Sequence, residues 1–225
     1  MNNMLSFCIN HLSPANEFVY DRELHQCYLV IAKNGSRSLN QLVHEDPLRF
    51  KYFLGHDATQ FYQENNITKL TVLVRDPIER FFSGLMTQSK IYKFDINAVL
   101  NVWENGIYQY TLPSIQMFDH HTVPQFWHLL RITKVPNLKF LIMPLEHLSL
   151  TYPNSKKLNV GTKFDFSHVS TDVMNKIDYY LTEDIVLYSQ FQNQTVDLES
   201  IVAKIRLEKK FTEEYQSYYK MLTYL

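Results

Sequence analysis

Three short runs of the chain are apolar almost without interruption: Tyr28 to Ala32 (YLVIA), Leu70 to Val74 (LTVLV) and Leu138 to Met143 (LKFLIM). Continuous rather than alternating hydrophobicity predicts strands buried on both faces, as in a parallel sheet covered by helices. Helical spacing follows the first two runs. Leu39, Leu42 and Val43 form one stripe, and Ile78, Phe81, Phe82 and Leu85 recur at i, i+3, i+4 and i+7. The last third repeats the helical period at Val173, Met174, Ile177 and Leu181, then at Leu198, Ile201, Val202 and Ile205. Strand followed by helix, twice, predicts a three-layer α/β fold with a central, mostly parallel sheet and a helical C-terminal part. The whole of residues 1–225 reads as one domain. Residues from Trp103 to Pro136, interrupted by Pro113, Pro124 and Pro136, read as irregular and substrate-facing.

The chemistry concentrates where strand hands over to helix. After the first run, Lys33, Asn34 and Gly35 form the turn and a helix begins near Ser36, in a chain with five glycines among 225 residues. A glycine there allows close approach, and consecutive N–H groups at a helix N-terminus bind phosphate-like anions. Lys33 adds a charge, and Ser36 and Ser38 add hydroxyl donors. The bland alternative is an ordinary turn with a serine N-cap and a solvated lysine. The loop is not a Walker A motif, because its lysine precedes the glycine instead of following it.

After the second run comes Arg75, then Asp76 as N-cap, Pro77 as the first helical residue and Glu79 as the N3 partner of a capping box. Ser83 lies about 150° from the centre of that helix's apolar stripe, outside its core face. Arg75 can grip a second phosphate bidentately, with Ser83 as its hydroxyl partner. The alternative pairs Arg75 with Asp76 or Glu79 and leaves Ser83 in water. Two anion-ready loops at the carboxyl ends of neighbouring strands favour the binding reading.

Composition narrows the partners. The chain is 45% hydrophobic and 20% charged, and no apolar run approaches the length of a membrane span. Its first residues lack the basic stretch of a secretory signal, and Cys8 and Cys27 alone make no disulfide framework, so a reducing cytoplasm is expected. A net charge of -1 argues against a dedicated nucleic-acid binder; an anion must be captured locally.

Taken together, Lys33, Gly35, Ser36 and Ser38 resemble the 5′-phosphosulfate loop of the sulfotransferases that use 3′-phosphoadenosine-5′-phosphosulfate (PAPS). Arg75 and Ser83, eight residues apart, resemble that family's 3′-phosphate pair. "LKFLIMPLEHL" is similar to the family's strand-plus-Glu-x-Leu segment. "TEDIVLY" and "HTVPQ" (His121 to Gln125) resemble a late helical segment and a His-x-x-Pro-Gln element of its carbohydrate-directed branch. Asn34 and Arg37 depart from the commonest form of the loop. The resemblance implies a P-loop-type fold and transfer of a sulfuryl group to a hydroxyl-bearing small-molecule or carbohydrate acceptor, releasing adenosine 3′,5′-bisphosphate (PAP). It implies that Lys33 stabilises the leaving phosphate, that residues 33–38 hold the 5′-phosphate, and that Arg75 and Ser83 read the 3′-phosphate.

A hydroxyl acceptor needs a base. His44, Glu45, Asp46, His56, Asp57 and Glu64 lie between the two loops; His56, beside a glycine and ahead of a helix capped by Asp57, is favoured over them, with His121 next and a plain surface histidine as the alternative. His120, His121 and His128 fit no zinc spacing, so no metal is expected. Glu146 and His147 read as loop-orienting or capping residues. Arg206, Lys209 and Lys210 lie near the cofactor or form a solvated basic face. The rival readings are a P-loop kinase or NTPase and a non-catalytic module that holds a nucleotide or glycan.

Overall fold

The computed structural model describes residues 17–54, 62–104, 121–122, 124–130, 138–153, 164–190, 194–197, 199–201 and 203–204. Its frame is a six-stranded sheet in the order β3-β1-β2-β4-β5-β6. The strands are β1 (Glu17–Asp21), β2 (Gln26–Val30), β3 (Phe50–Leu54), β4 (Lys69–Val74), β5 (Lys139–Pro144) and β6 (Gln194–Val196). The three continuous apolar runs of the sequence are β2, β4 and β5, to within two residues, and they are the parallel centre: β4 pairs parallel with both β2 and β5.

The sheet as a whole is mixed, which corrects the expectation of a mostly parallel one. β1 runs antiparallel to both β2 and β3, and β6 antiparallel to β5. For β1 and β2 the physical reason is connection length. Only Arg22 to His25 join β1 to β2, too few for a parallel crossover, and the Asp21 carboxylate folds that turn by accepting from the N–H groups of Glu23 (2.9 Å) and Leu24 (3.1 Å).

Both faces of the sheet are covered. One face gathers Phe18, Leu29, Ile31, Val72, Val74 and Ile142 under Phe126, Leu129 and Leu187. These last belong to helices α4 (Gln125–Leu130) and α7 (Thr182–Gln190). The alternate positions Val19, Tyr28, Val30 and Leu73 pack against Leu39 and Leu42 of α1 (Ser36–Glu45) and Leu148 of α5 (His147–Thr151). That alternation explains why the central strands carry so few polar residues. A third cluster joins α2 (Pro77–Tyr92), α3 (Ile96–Glu104) and α6 (Thr171–Tyr180) through Phe81, Phe82, Leu85, Val99, Leu100 and Ile177. α4 and the last two residues of α3 lie in the stretch read as irregular; the helical reading of Val173 to Leu181 matches α6 and its end. Among the described residues no helix is long and apolar enough to cross a membrane. Cys27 is a buried free thiol whose pKa burial pushes up to about 12; Cys8 lies outside the described residues.

Candidate functional site

The carboxyl ends of β2 and β4, adjacent and parallel, bring the two loops to one edge of the sheet. In the first, the Asn34 N–H donates to Ile31 O (3.0 Å), closing a tight turn in which Lys33 has φ 71°. That left-handed conformation costs a lysine roughly 1–2 kcal/mol. Gly35 follows at φ 78° as the N-cap of α1, and no side chain caps the helix. Its lack of a Cβ is required by that φ, and an added Cβ would also stand 2.8 Å from a Leu145 methyl, which would have to shift. With no side-chain cap and no acidic residue in its first turn, α1 presents the positive end of its dipole at this loop uncompensated by its own side chains. The hydroxyls of Ser36 and Ser38 make no hydrogen bond among the described residues.

Asn34 behaves differently from its neighbours. Its side chain is 1% exposed and turned inward, donating to Leu73 O (2.7 Å) and to the Gln125 carboxamide oxygen. It ties the first loop to β4 instead of facing the mouth.

In the second loop, Asp76 caps α2 by accepting from Glu79 N–H (2.8 Å), with Pro77 at N1. The Arg75 guanidinium donates from Nη2 to Glu79 Oε2 at 3.3 Å, the ion pair that was the alternative to phosphate binding. That bond is long, and the Nε and Nη1 donors of Arg75 have no partner among the described residues. Ser83 is half-buried, and its hydroxyl too is unengaged among them. Lys33 reaches across from the first loop to Thr87 Oγ1, and Thr87 donates to Ser83 O (3.1 Å). Glu79, Ser83 and Thr87 share one face of α2, so Lys33 and Arg75 meet the same strip of helix. Thr87 is a participant that the spacing of charged and glycine residues does not reveal; its one sequence signal is its i+4 relation to Ser83.

Two further motifs converge here. The Gln125 carboxamide accepts from Arg75 N–H (3.0 Å) and donates to Arg75 O (3.1 Å) and Asp184 Oδ2 (3.3 Å). Asp184, of the TEDIVLY stretch, also accepts from the N–H groups of Gln125 (2.7 Å) and Phe126 (2.9 Å). Burial pushes its carboxyl above the ordinary range, against the pull of the Arg80 charge and the Gln125 and Phe126 N–H groups. Arg80 is itself fully buried and donates from Nε to Ala32 O (3.2 Å), gripping the first loop from beneath. Beside it Gly84 lies directly against the backbone of His121 and the Thr122 methyl.

Of the candidate bases, His121 is half-buried at this junction and His44 is exposed at the end of α1. Glu45, Asp46 and Glu64 are exposed. His56, Asp57 and His120 lie outside the described residues, as do Arg206, Lys209 and Lys210. Glu146 occupies the N-cap of α5 without a side-chain cap, and His147 meets Thr151 Oγ1 at 3.1 Å. Among the described residues no group of three or more His, Cys, Asp or Glu is placed to hold a metal ion.

A cleft of ≈ 220 Å³ lies elsewhere, between the end of α1 and Tyr152, lined in part by Asp46, Arg49 and Phe50. Its neighbour is a fully satisfied structural network. Arg49 pairs with the buried Asp21 (2.8 Å) and with Glu23 (2.8 Å), and stacks over Phe50 and Tyr152. Tyr152 donates to Asp21 Oδ2 (2.8 Å) and lies 3.2 Å from the Tyr28 hydroxyl. Burial raises Asp21, but the bonds from Arg49 and Tyr152 outweigh it and hold its carboxyl below the usual range. Burial pushes the Tyr28 hydroxyl up to about 12.

Comparison of the chain with family models, with curated proteins and with solved structures gives no match.

Proposed function

We propose that the chain is a PAPS-dependent sulfotransferase with a P-loop-type α/β fold, acting on a hydroxyl-bearing, carbohydrate-like acceptor. What carries the reading is the shared mouth: Lys33, from the loop after β2, reaches the same strip of α2 that carries Ser83 and pairs with Arg75, from the loop after β4. The polar groups left unengaged there fit a bisphosphorylated nucleotide in kind: hydroxyls of Ser36, Ser38 and Ser83, two guanidinium donors and an uncapped helix end.

The donor supplies a sulfur–oxygen bond to a phosphate leaving group. The first turn of α1 and the Ser36 and Ser38 hydroxyls hold the 5′-phosphate, a contact that favours binding in both ground and transition states. Lys33 stabilises the charge that grows on the departing oxygen. Arg75 and Ser83 bind the 3′-phosphate and so separate this donor from ATP. The acceptor's O–S bond forms as the sulfur–phosphate oxygen bond breaks, and its proton passes to a base, for which His56 and His121 are the candidates.

Transfer of radiolabelled sulfuryl from PAPS to a panel of glycans and simple alcohols, without magnesium, tests the reading. Label on an acceptor, abolished in Lys33→Ala, is expected. Release of phosphate from ATP that requires magnesium would favour a kinase or NTPase instead, and tight PAP binding with no transfer to any acceptor would favour a binding module.

A further inference from the structure

The Gln125 carboxamide makes all four hydrogen bonds available to it, inside a residue that is fully buried. Two of the four go to one residue: Arg75 N–H donates to Oε1, and Arg75 O accepts from Nε2. These groups belong to the peptide planes on either side of the Arg75 Cα. Holding both fixes φ and ψ of Arg75, and with them the direction in which its side chain leaves the backbone.

The grip is needed because the sheet no longer supplies it. The last bond of the β4–β5 edge is Leu145 N–H to Val74 O (2.8 Å), one residue short of Arg75. Gln125 is anchored from behind by Asp184, which takes two N–H bonds from the start of α4 and one from the carboxamide. The same carboxamide accepts from Asn34, so one side chain sets the first loop and the second against each other. Arg80 adds a second hold on the first loop at Ala32 O.

We propose that Gln125 is a positioning residue: backed by Asp184, it aims the Arg75 guanidinium relative to the Lys33 loop and thereby sets the preference for a 3′-phosphorylated nucleotide. This role rests on the reading of Arg75 as the 3′-phosphate contact. Gln125 itself touches no reacting atom. Removing it leaves Arg75 in place with its charge intact but its backbone ungripped, which weakens a directional, bidentate contact more than a diffuse electrostatic one.

The test is calorimetric titration of PAP and of AMP, at a temperature well below unfolding, into the unsubstituted chain, Gln125→Met and Tyr152→Phe. Tyr152→Phe also loses a buried hydrogen bond, but far from the two loops. The expected result is a PAP-over-AMP preference that falls tenfold or more in Gln125→Met, with AMP affinity within about twofold, and that survives in Tyr152→Phe. If Gln125→Met does not fold, Gln125→Glu, which keeps the shape and loses both donations, is measured and read in the same way. A preference unchanged in the Gln125 variant overturns the positioning role and leaves the donor site standing. Absence of any preference in the unsubstituted chain overturns the donor-site reading, and the positioning role with it.

Discussion

Gly84 of α2 lies so close to His121 that a Cβ built on it would stand 2.3 Å from the His121 carbonyl oxygen. The obstacle is backbone, not a side chain able to swing aside. Mid-helix, alanine is favoured over glycine by about 1 kcal/mol. Overpacking against a fixed neighbour costs roughly 1–3 kcal/mol and here forces two segments apart. Gly84→Ala is therefore expected to destabilise the protein in chemical denaturation, against its helix propensity. A variant more stable than the parent would mean that the 121–122 segment does not rest on α2.

Lys33 combines a strained backbone with the charge assigned to the leaving phosphate. Asparagine tolerates φ 71° better than any other residue except glycine, so Lys33→Asn keeps the turn and removes the charge. Stability is expected to stay within about 1 kcal/mol of the parent. PAP affinity is expected to fall about tenfold to a hundredfold, the range of one charge-assisted hydrogen bond. Thermal melts beside calorimetry separate the two effects; an affinity that does not move would remove Lys33 from the site.

Much of the frame was legible in the sequence, for a physical reason. β2, β4 and β5 are buried on both faces, and two-sided burial leaves continuous apolar runs. β1 is as deeply buried, but its five residues begin and end with Glu17 and Asp21, and its position is set by pairing with β2 and β3. The cap of α2 was readable because Asp76 and Pro77 act locally. Arg80 was not. It lies about 150° from the apolar stripe, as Ser83 does on the other side, so periodicity assigns it to water. Its burial comes from Ala32 and Asp184, remote in the chain. Asn34 shows the same limit: its residue type and place fit an anion loop, whereas its side chain serves Leu73 and Gln125.

The Asp21 network makes a prediction about pH. The folded state holds the Asp21 carboxyl below its ordinary 3.8, so ionised Asp21 contributes stability above that value. The contribution is lost as pH falls through the lower, folded-state value. Tyr152→Phe removes one donor to the carboxylate and is expected to cost about 1.5–3 kcal/mol at pH 7, the range for a bond to a charged group. As the pH falls and the carboxyl takes up its proton, the gap between variant and parent narrows. Urea denaturation at pH 7, 4 and 2.5 measures it; a gap that widens in acid would reverse the assigned sign.

The central claim is that two loops on adjacent parallel strands hold the two phosphates of one nucleotide, and Arg75 is where it is most exposed to failure. Calorimetry without magnesium should compare PAP, AMP and ATP on the parent, Arg75→Ala and Glu79→Gln. The account predicts that the parent prefers PAP and that Arg75→Ala loses this preference by tenfold or more while holding AMP. Glu79→Gln, which frees Arg75 from a half-exposed pair worth at most about 1 kcal/mol, is expected to bind PAP up to about fivefold more tightly. Equal binding of AMP and PAP by the parent, or tightest binding of ATP once magnesium is added, would contradict it.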